Sequence, residues 1–542
     1  MINAFWWGGG CDNRGIRWVA WDKLACPKEE GGLGFRDFHN FNMAMVAKQG
    51  WNFMHHPTSL VARLYKASYF PQNSFLDSKI CNNPSFAWRS IWRARQVLLL
   101  GCRWQIGDGS KISVMNEPWL RENQGRFLNA PQTQNVYTLQ VQHLLLPNVK
   151  RWDEAKIHSL FPVEVAREIL AVPLLELVRE DKLIWSEEND GVYSVRTGYR
   201  KLMKEKNKGY GPREIEGWSC IWRIRAPPKT KHLLWRICRE CLPTRSRLQN
   251  RYVQCSVECP LCSSHVEEDL HVFLSCDGVR EAWNVMDLSN IINPRLHTFN
   301  NLRDFIFDIC RYCSDLEASK AAVLMWFIWQ NRNNIVWNET SLSSQQIGVQ
   351  ALVYWQQWAT INGLIHDQQQ PATQINAANS NMQWNQPPFG FLKCNVDASF
   401  YNTVGATGCG WVLRNCRGQF QLAGSNIMKA SLTVLEGEAM ALIEAMEEVI
   451  HRGLSFVIFE SDSKLVVDAI SSYQAGISDF SILISHIQAL LRLNNYFEVK
   501  YVKRQANKVA HSLARAAFSM SRRCVFDSIP PCIDSLLSNE IC

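Results

Sequence analysis

The strongest constraint on folding is an ordered alternation of segment types after about residue 390: strand, strand, strand, helix, strand, helix, helix, strand, helix. Alternating apolar and polar residues predict strands at Phe391 to Ser399, Gly408 to Arg414, Gln419 to Ser425, Phe456 to Glu460 and Phe497 to Val502. An apolar stripe at helical spacing predicts a long helix from Val434 to Arg452. Strands joined by short turns form a meander, whereas strands separated by helices return in parallel. The order therefore implies a mixed sheet with helices on both faces. Residues 366–388 precede it with GlnGlnGlnPro and AsnAlaAlaAsnSerAsn and no apolar period, which reads as an interdomain linker.

Three carboxylates in this region form a candidate constellation. Asp397 lies mid-strand in CysAsnValAspAlaSerPhe, on the face shared with Asn395 and Ser399. Glu438 lies in the opening turns of the long helix, and Asp462 follows the strand PheValIlePheGlu. Hydrolysis of a phosphodiester by two divalent ions, held roughly 4 Å apart, requires acidic groups that converge. Carboxylates suit Mg2+ and Mn2+. Each residue also has an ordinary role: a strand Asp faces solvent, a Glu in an opening turn suits the helix dipole, and Asp462 suits a cap for a helix starting near Ser463.

Upstream, a chain of 542 residues has room for about three domains, and 46% hydrophobic with 20% charged residues excludes disorder throughout. No basic and apolar leader opens the sequence, and the longest apolar run, Ala321 to Trp329, is far short of the ~20 residues of a membrane span. Nineteen cysteines without such a leader point to a reducing compartment. The expectation is an intracellular protein, nuclear or cytoplasmic, neither secreted nor in a membrane. Cys259, Cys262, His271 and Cys276 space as C-x2-C-x8-H-x4-C, which fits a closed tetrahedral zinc site. Cys255 is close enough to compete as a ligand, and Cys238 with Cys241 reads as packing in a helical stretch.

The net charge of +8 is unevenly spread. Between Arg213 and Arg251 there are ten Lys or Arg against three Asp or Glu, interleaved with Trp218, Trp222, Trp235 and Tyr252. Such a run suits phosphate contacts beside stacking surfaces, and equally a solvated helix face over core tryptophans. Elsewhere, Asn42, Ala44, Ala47, Lys48 and Trp51 mark a helix; AspGlyValTyrSerVal at 190–195 predicts a short strand, followed by a helix through Tyr199, Leu202 and Met203. Residues 302–364 read as helical, with Trp326, Trp329 and Trp337 near-spaced for one packing stripe.

Five segments in order, LysCysAsnValAspAlaSerPhe, GlyCysGlyTrpValLeuArgAsn, GluAlaMetAlaLeuIleGluAla, PheGluSerAspSer and ValLysArgGlnAlaAsnLysValAlaHisSerLeuAlaArg, resemble the plant branch of the RNase H family. The resemblance implies an RNase H fold over residues 390–520, catalytic roles for Asp397, Glu438 and Asp462 on Mg2+ or Mn2+, and hydrolysis of RNA paired to DNA. It places the family's final Asp at His511, a neutral and weaker ligand for Mg2+, so Mn2+ is expected to be favoured over Mg2+.

A second resemblance rests on GlyValTyrSerVal, TrpSerCysIleTrp, ProLysThrLys, LeuProThrArg, CysProLeuCys and HisValPheLeuSerCys, which look like the zinc-binding domain that follows reverse transcriptase in plant LINE-type retrotransposons. GlyGlyLeuGlyPheArgAsp resembles the region just after the polymerase in the same elements. The resemblances imply a multidomain α/β chain: a post-polymerase region at 1–125, a mainly helical zinc-binding module at 185–285, a helical connector at 300–365, the linker at 366–388, an RNase H-like domain at 390–520 and a tail at 521–542. No polymerase or endonuclease motif is found. Expected nucleic-acid contacts are Arg236, Arg245, Arg504 and Asn507, and the expected partner is an RNA/DNA hybrid or another nucleic acid. An inactive binder, or a relic of a transposon, is the alternative to an enzyme.

Overall fold

The computed structural model describes residues 2–8, 15–80, 82–121, 128, 134–208, 217–296, 298–364, 384–472 and 476–541. They group into two compact units, one formed by Met1–His39 with Glu205–Ala372, the other by Asn40–Lys204 with Thr373–Cys542. Most of the expected linker, 366–383, lies outside the described residues.

In the second unit the expected strands and the long helix are all present: β1 Leu392–Tyr401, β2 Ala406–Arg414, β3 Phe420–Met428, α1 Val434–His451, β4 Val457–Ser461, α2 Lys464–Ser471, α3 Asp479–Leu493, β5 Phe497–Tyr501 and α4 Lys508–Met520. A further strand, β6 at Cys524–Phe526, follows Ser521, whose left-handed φ of 55° ends α4. The sheet runs β5-β4-β1-β2-β3-β6. The meander β1 to β3 and the edge strand β6 are antiparallel, while β4 and β5 run parallel to β1. This is the mixed sheet that the order of elements implied.

Helices cover both faces. Leu442 and Met446 of α1 and Leu483 and Ile487 of α3 pack on Cys394, Val396, Trp411 and Phe459. On the other face Val509 and Leu513 of α4 meet Val412 and Ala423. The helix α4 sits unusually low because Gly408 and Gly410 lack a side chain beneath it. A Cβ on Gly410 would lie 2.2 Å from the Ala514 nitrogen, and one on Gly408 2.5 Å from its oxygen. Ala510, Ala514 and Ala517, all fully buried, complete this close approach.

Within Asn40–Lys204, Cys102–Gln105 pairs antiparallel with Lys182–Trp185. The strand predicted at 190–195 does not form; Asp190 to Ser194 is irregular and Val195 begins the helix Val195–Lys208. Its alternation reflects the burial of Tyr193, whose hydroxyl donates to the Ala44 carbonyl (2.8 Å) and whose carbonyl accepts from Lys48 Nζ (2.7 Å). The helix expected around Trp51 is present as Phe38–His55.

The unit containing Glu205–Ala372 is mainly helical, with Pro228–Cys238, Asp277–Val285, Leu302–Tyr312, Asp315–Asn338 and Ser344–Ile361 as its longer helices. Cys238 and Cys241 are buried in its core, as packing required. The tryptophan stripe is only partly a packing stripe: Trp329 is buried, whereas Trp337 is 79% exposed. Among the described residues no helix is long and apolar enough to cross a membrane.

Candidate functional site

Strand register and two close helix contacts bring the three carboxylates together. Asp397 pairs with Gly410, the glycine over which α4 passes, so the helix reaches the residue directly. The parallel pairing of Val396 with Ser461 sets Asp462 at the end of β4 beside it. Glu438 arrives on the opening turns of α1, where Gly437 packs so tightly on Phe400 that a Cβ would lie 2.6 Å from its ring. One oxygen from each of Asp397, Glu438 and Asp462 lies within 4.8 Å of the others. Asp397 and Glu438 are buried and Asp462 half-buried.

The electrostatics of this cluster are unfavourable without a cation. Burial, together with Asp397 and Asp462, pushes Glu438 up to about 9, against the pull of the Ala398 N–H. Burial also raises Asp397 to about 6, although a hydrogen bond from His511 opposes it. Glu438 Oε2 is buried with no hydrogen-bond partner among the described residues. An unpartnered buried carboxylate oxygen is costly, and here it sits beside two further acids. The donor set fits a divalent cation.

His511, expected as a fourth ligand, is outside the group of three that converge and meets only one of them, its Nδ1 lying 2.7 Å from Asp397 Oδ2. Arg504 is exposed in the short turn Arg504–Ala506, and its charge acts on both Asp397 and Glu438. Asn507 is 1% exposed and donates from Nδ2 to the Val396 carbonyl (2.8 Å), so its side chain fixes α4 to β1 in place of reaching a surface. A buried polar network that sequence reasoning missed braces β1 two residues earlier. Asn395 donates to Glu460 (3.0 Å) and accepts from Arg414 (2.8 Å) and the Trp384 indole (2.9 Å), while Lys393 pairs with Glu460 at 2.7 Å.

In the helical unit Cys259, Cys262, His271 and Cys276 also converge within 4.8 Å, with Cys262 Sγ 3.3 Å from His271 Nε2. A turn closed by the Cys259 N–H on the His265 carbonyl (2.7 Å) presents the first pair, and the π-turn His271–Ser275 presents the second. Hydrogen bonds from Cys276 and from the Leu261 and Cys262 N–H groups pull the Cys259 thiol down to about 5, towards the thiolate a metal requires. Cys255 is outside the cluster, its Sγ directed at the Arg245 carbonyl. Arg245 itself donates to the Glu258 carbonyl (2.7 Å), and Arg236 is half-buried beside Cys241. Glu267, fully buried, receives Arg332 and the Arg245 N–H and so ties the thiol loop to the helix Asp315–Asn338.

Two family models match the chain: "Reverse transcriptase-like" over residues 395–517 and "zinc-binding in reverse transcriptase" over residues 193–283. Over 567 aligned positions, covering 100% of this chain and 87% of the relative, it is 27% identical to an Arabidopsis thaliana protein whose name contains "ribonuclease H protein". Over 122 residues, 22% of this chain and 79% of the relative, it is 43% identical to an uncharacterized mitochondrial protein of the same plant. Among solved structures it is similar to RNase H1 of the archaeon Halobacterium salinarum, at 23% identity, with 24% of this chain and 99% of that one covered and a TM-score of 0.23. It is also similar to LC11-RNase H1 in complex with an RNA/DNA hybrid, at 19% identity, with 24% and 98% covered and a TM-score of 0.22.

Proposed function

We propose a function from one premise: the chain belongs to the family of the Arabidopsis mitochondrial protein that it matches at 43% identity. In our reading it binds RNA paired to DNA and, with a divalent cation, hydrolyses the RNA strand. The observation that supports this is the convergence of Asp397, Glu438 and Asp462 within 4.8 Å inside a reverse transcriptase-like domain. Mg2+ or Mn2+ bound there would polarise the phosphate and activate water. Asp397 and Glu438 hold and orient the cation from the buried side, and Asp462 does so from the open side. Arg504, exposed beside them, meets a phosphate of the incoming strand. A 2′-hydroxyl at this position separates RNA from DNA. Cys259, Cys262, His271 and Cys276 hold structural Zn2+, with Arg245 bracing their loop.

A second reading, hybrid binding with little or no cleavage, is favoured by His511, which already occupies Asp397 Oδ2 and brings no negative charge. The plant LINE-type resemblance makes a retrotransposon the source, with residues 1–125, 185–285 and 390–520 as its post-polymerase, zinc-binding and RNase H segments. The test is a gel assay of the full chain on a labelled RNA/DNA duplex. Cutting of the RNA strand, faster with Mn2+ than Mg2+ and abolished by Asp397→Asn, is the expected result. Salt-sensitive binding without cutting selects the second reading, and absence of binding rejects both.

A further inference from the structure

Residues 102–121 and 171–190 are built into the helix–sheet domain at the starts of two helices. Arg121, 11% exposed at its side chain, donates to both oxygens of Glu436, to Asp479 and to the Ser431 carbonyl (3.4 Å). Asp479, the first residue of α3, also receives Arg103 (3.3 Å) and Gln105 (2.8 Å). Main-chain bonds reinforce the junction: the Ser431 N–H donates to the Ala171 carbonyl (2.9 Å), and the Ile477 N–H to that of Asp190 (2.7 Å). One guanidinium thus grips the opening turns of α1 and α3 together.

Glu436 is more than a charge partner. It closes the capping box of α1 with Thr433, and the Thr433 N–H donates to its Oε2 at 2.9 Å. Glu438 lies two residues further on. Bringing Glu438 against Asp397 and Asp462 concentrates like charge on a turn that would otherwise fray, because the first N–H groups of a helix lack partners within it. The turn therefore has to be held from behind. Thr407 grips it from the sheet, its hydroxyl receiving the Leu432 N–H (3.2 Å) and donating to the Ala430 carbonyl (2.9 Å). Arg121 grips it from the upstream segment.

We infer that Arg121 is a positioning residue for Glu438, fixing the start of α1 in the register that delivers the carboxylate to Asp397. The inference rests on the reading of Asp397, Glu438 and Asp462 as a divalent-metal site. Arginine suits the task because its planar fork meets a carboxylate at two points and still reaches a third acceptor.

The test is Mn2+ titrated into the full chain, with bound ion measured by electron paramagnetic resonance. Arg121→Met should weaken binding by about 10-fold to 100-fold, the usual cost of losing a group that orients metal ligands. Arg121→Lys should recover part of the loss, and zinc content should stay at the parent level. Should Arg121→Met fail to fold, Arg121→Met with Glu436→Gln, which removes the orphaned charge, decides the matter by the same titration. Ile487→Val is the packing control and should lower the melting temperature without moving Mn2+ affinity. Parent-like Mn2+ binding in either folded Arg121 variant would overturn the positioning role alone. Mn2+ binding that survives Asp397→Asn would overturn the metal-site reading beneath it.

Discussion

At the scale of single residues, a cation at the proposed site would have to compete with His511 for Asp397 Oδ2, which the imidazole already meets at 2.7 Å. Replacing the imidazole by a carboxylate removes the competitor and adds negative charge. His511→Asp should therefore raise Mg2+ affinity and the rate of RNA cleavage by about tenfold or more, measured by titration and by the duplex assay. The site should also respond to pH. Glu438 and Asp397 stand at about 9 and about 6 in the metal-free protein, above the ~4 of an unfolded carboxyl. A raised carboxyl stabilises the fold below its unfolded pKa and loses that contribution as pH climbs towards the folded one. The metal-free chain should thus lose stability from about pH 4 up to about 9, most steeply below about 6, where both groups contribute. Mn2+ should bind more tightly over the same range and displace protons. Calorimetry in buffers of different ionisation enthalpy counts those protons, and a count of zero would contradict the assignment. That the three carboxylates converge was legible only through the family resemblance, because taken singly each has an ordinary role as a surface, dipole or capping residue. The role of Asn507 was not legible, since a buried hydrogen bond to Val396 leaves no local pattern.

At the scale of elements, the contact that matters most to the site is between two glycines and a helix. Gly410→Ala would set a Cβ 2.2 Å from the Ala514 nitrogen. The strand and α4 must part, at a cost of about 1–3 kcal/mol for overpacking of this kind. A lower melting temperature is expected, together with weaker Mn2+ binding, because α4 carries His511 and begins directly after Asn507. Equal Mn2+ affinity in the variant would mean that the seat of α4 does not govern the site. Element identity was largely legible, since β1 to β5 and α1 are long enough to express a period. The failure at 190–195 is instructive: two apolar side chains in alternation suffice to suggest a strand, but Cys102–Gln105 already pairs with Lys182–Trp185. β6 was illegible for the opposite reason, with three residues too few for any period.

At the scale of the whole molecule, each unit draws on two separate stretches of chain. This could not be read from the sequence, because the residues that join Asn40–Lys204 to the sheet domain, Arg103, Gln105 and Arg121, belong to no periodic pattern. Their joint acceptor offers a measurement. Burial pushes Asp479 up, but Arg121, Arg103 and the Gln105 amide outweigh it and hold the carboxyl below its ordinary value. A depressed carboxyl contributes stability above its unfolded pKa of about 3.9 and loses it as pH falls through the folded one. Asp479→Asn should therefore melt lower than the parent at neutral pH, and the difference should shrink below about pH 4. A difference independent of pH would show that the charge is not what holds the junction. The interleaving also governs biosynthesis. Residues 40–204 leave the ribosome long before the strands they complete, with Glu205–Ala372 still to be made. At about 5–20 residues per second that interval is roughly ten to thirty seconds. Arg103 and Arg121 wait longer still, since Asp479 lies 376 residues after Arg103 and Glu436 315 after Arg121, so the nascent chain has to carry a half-built domain until residues 373–542 are made.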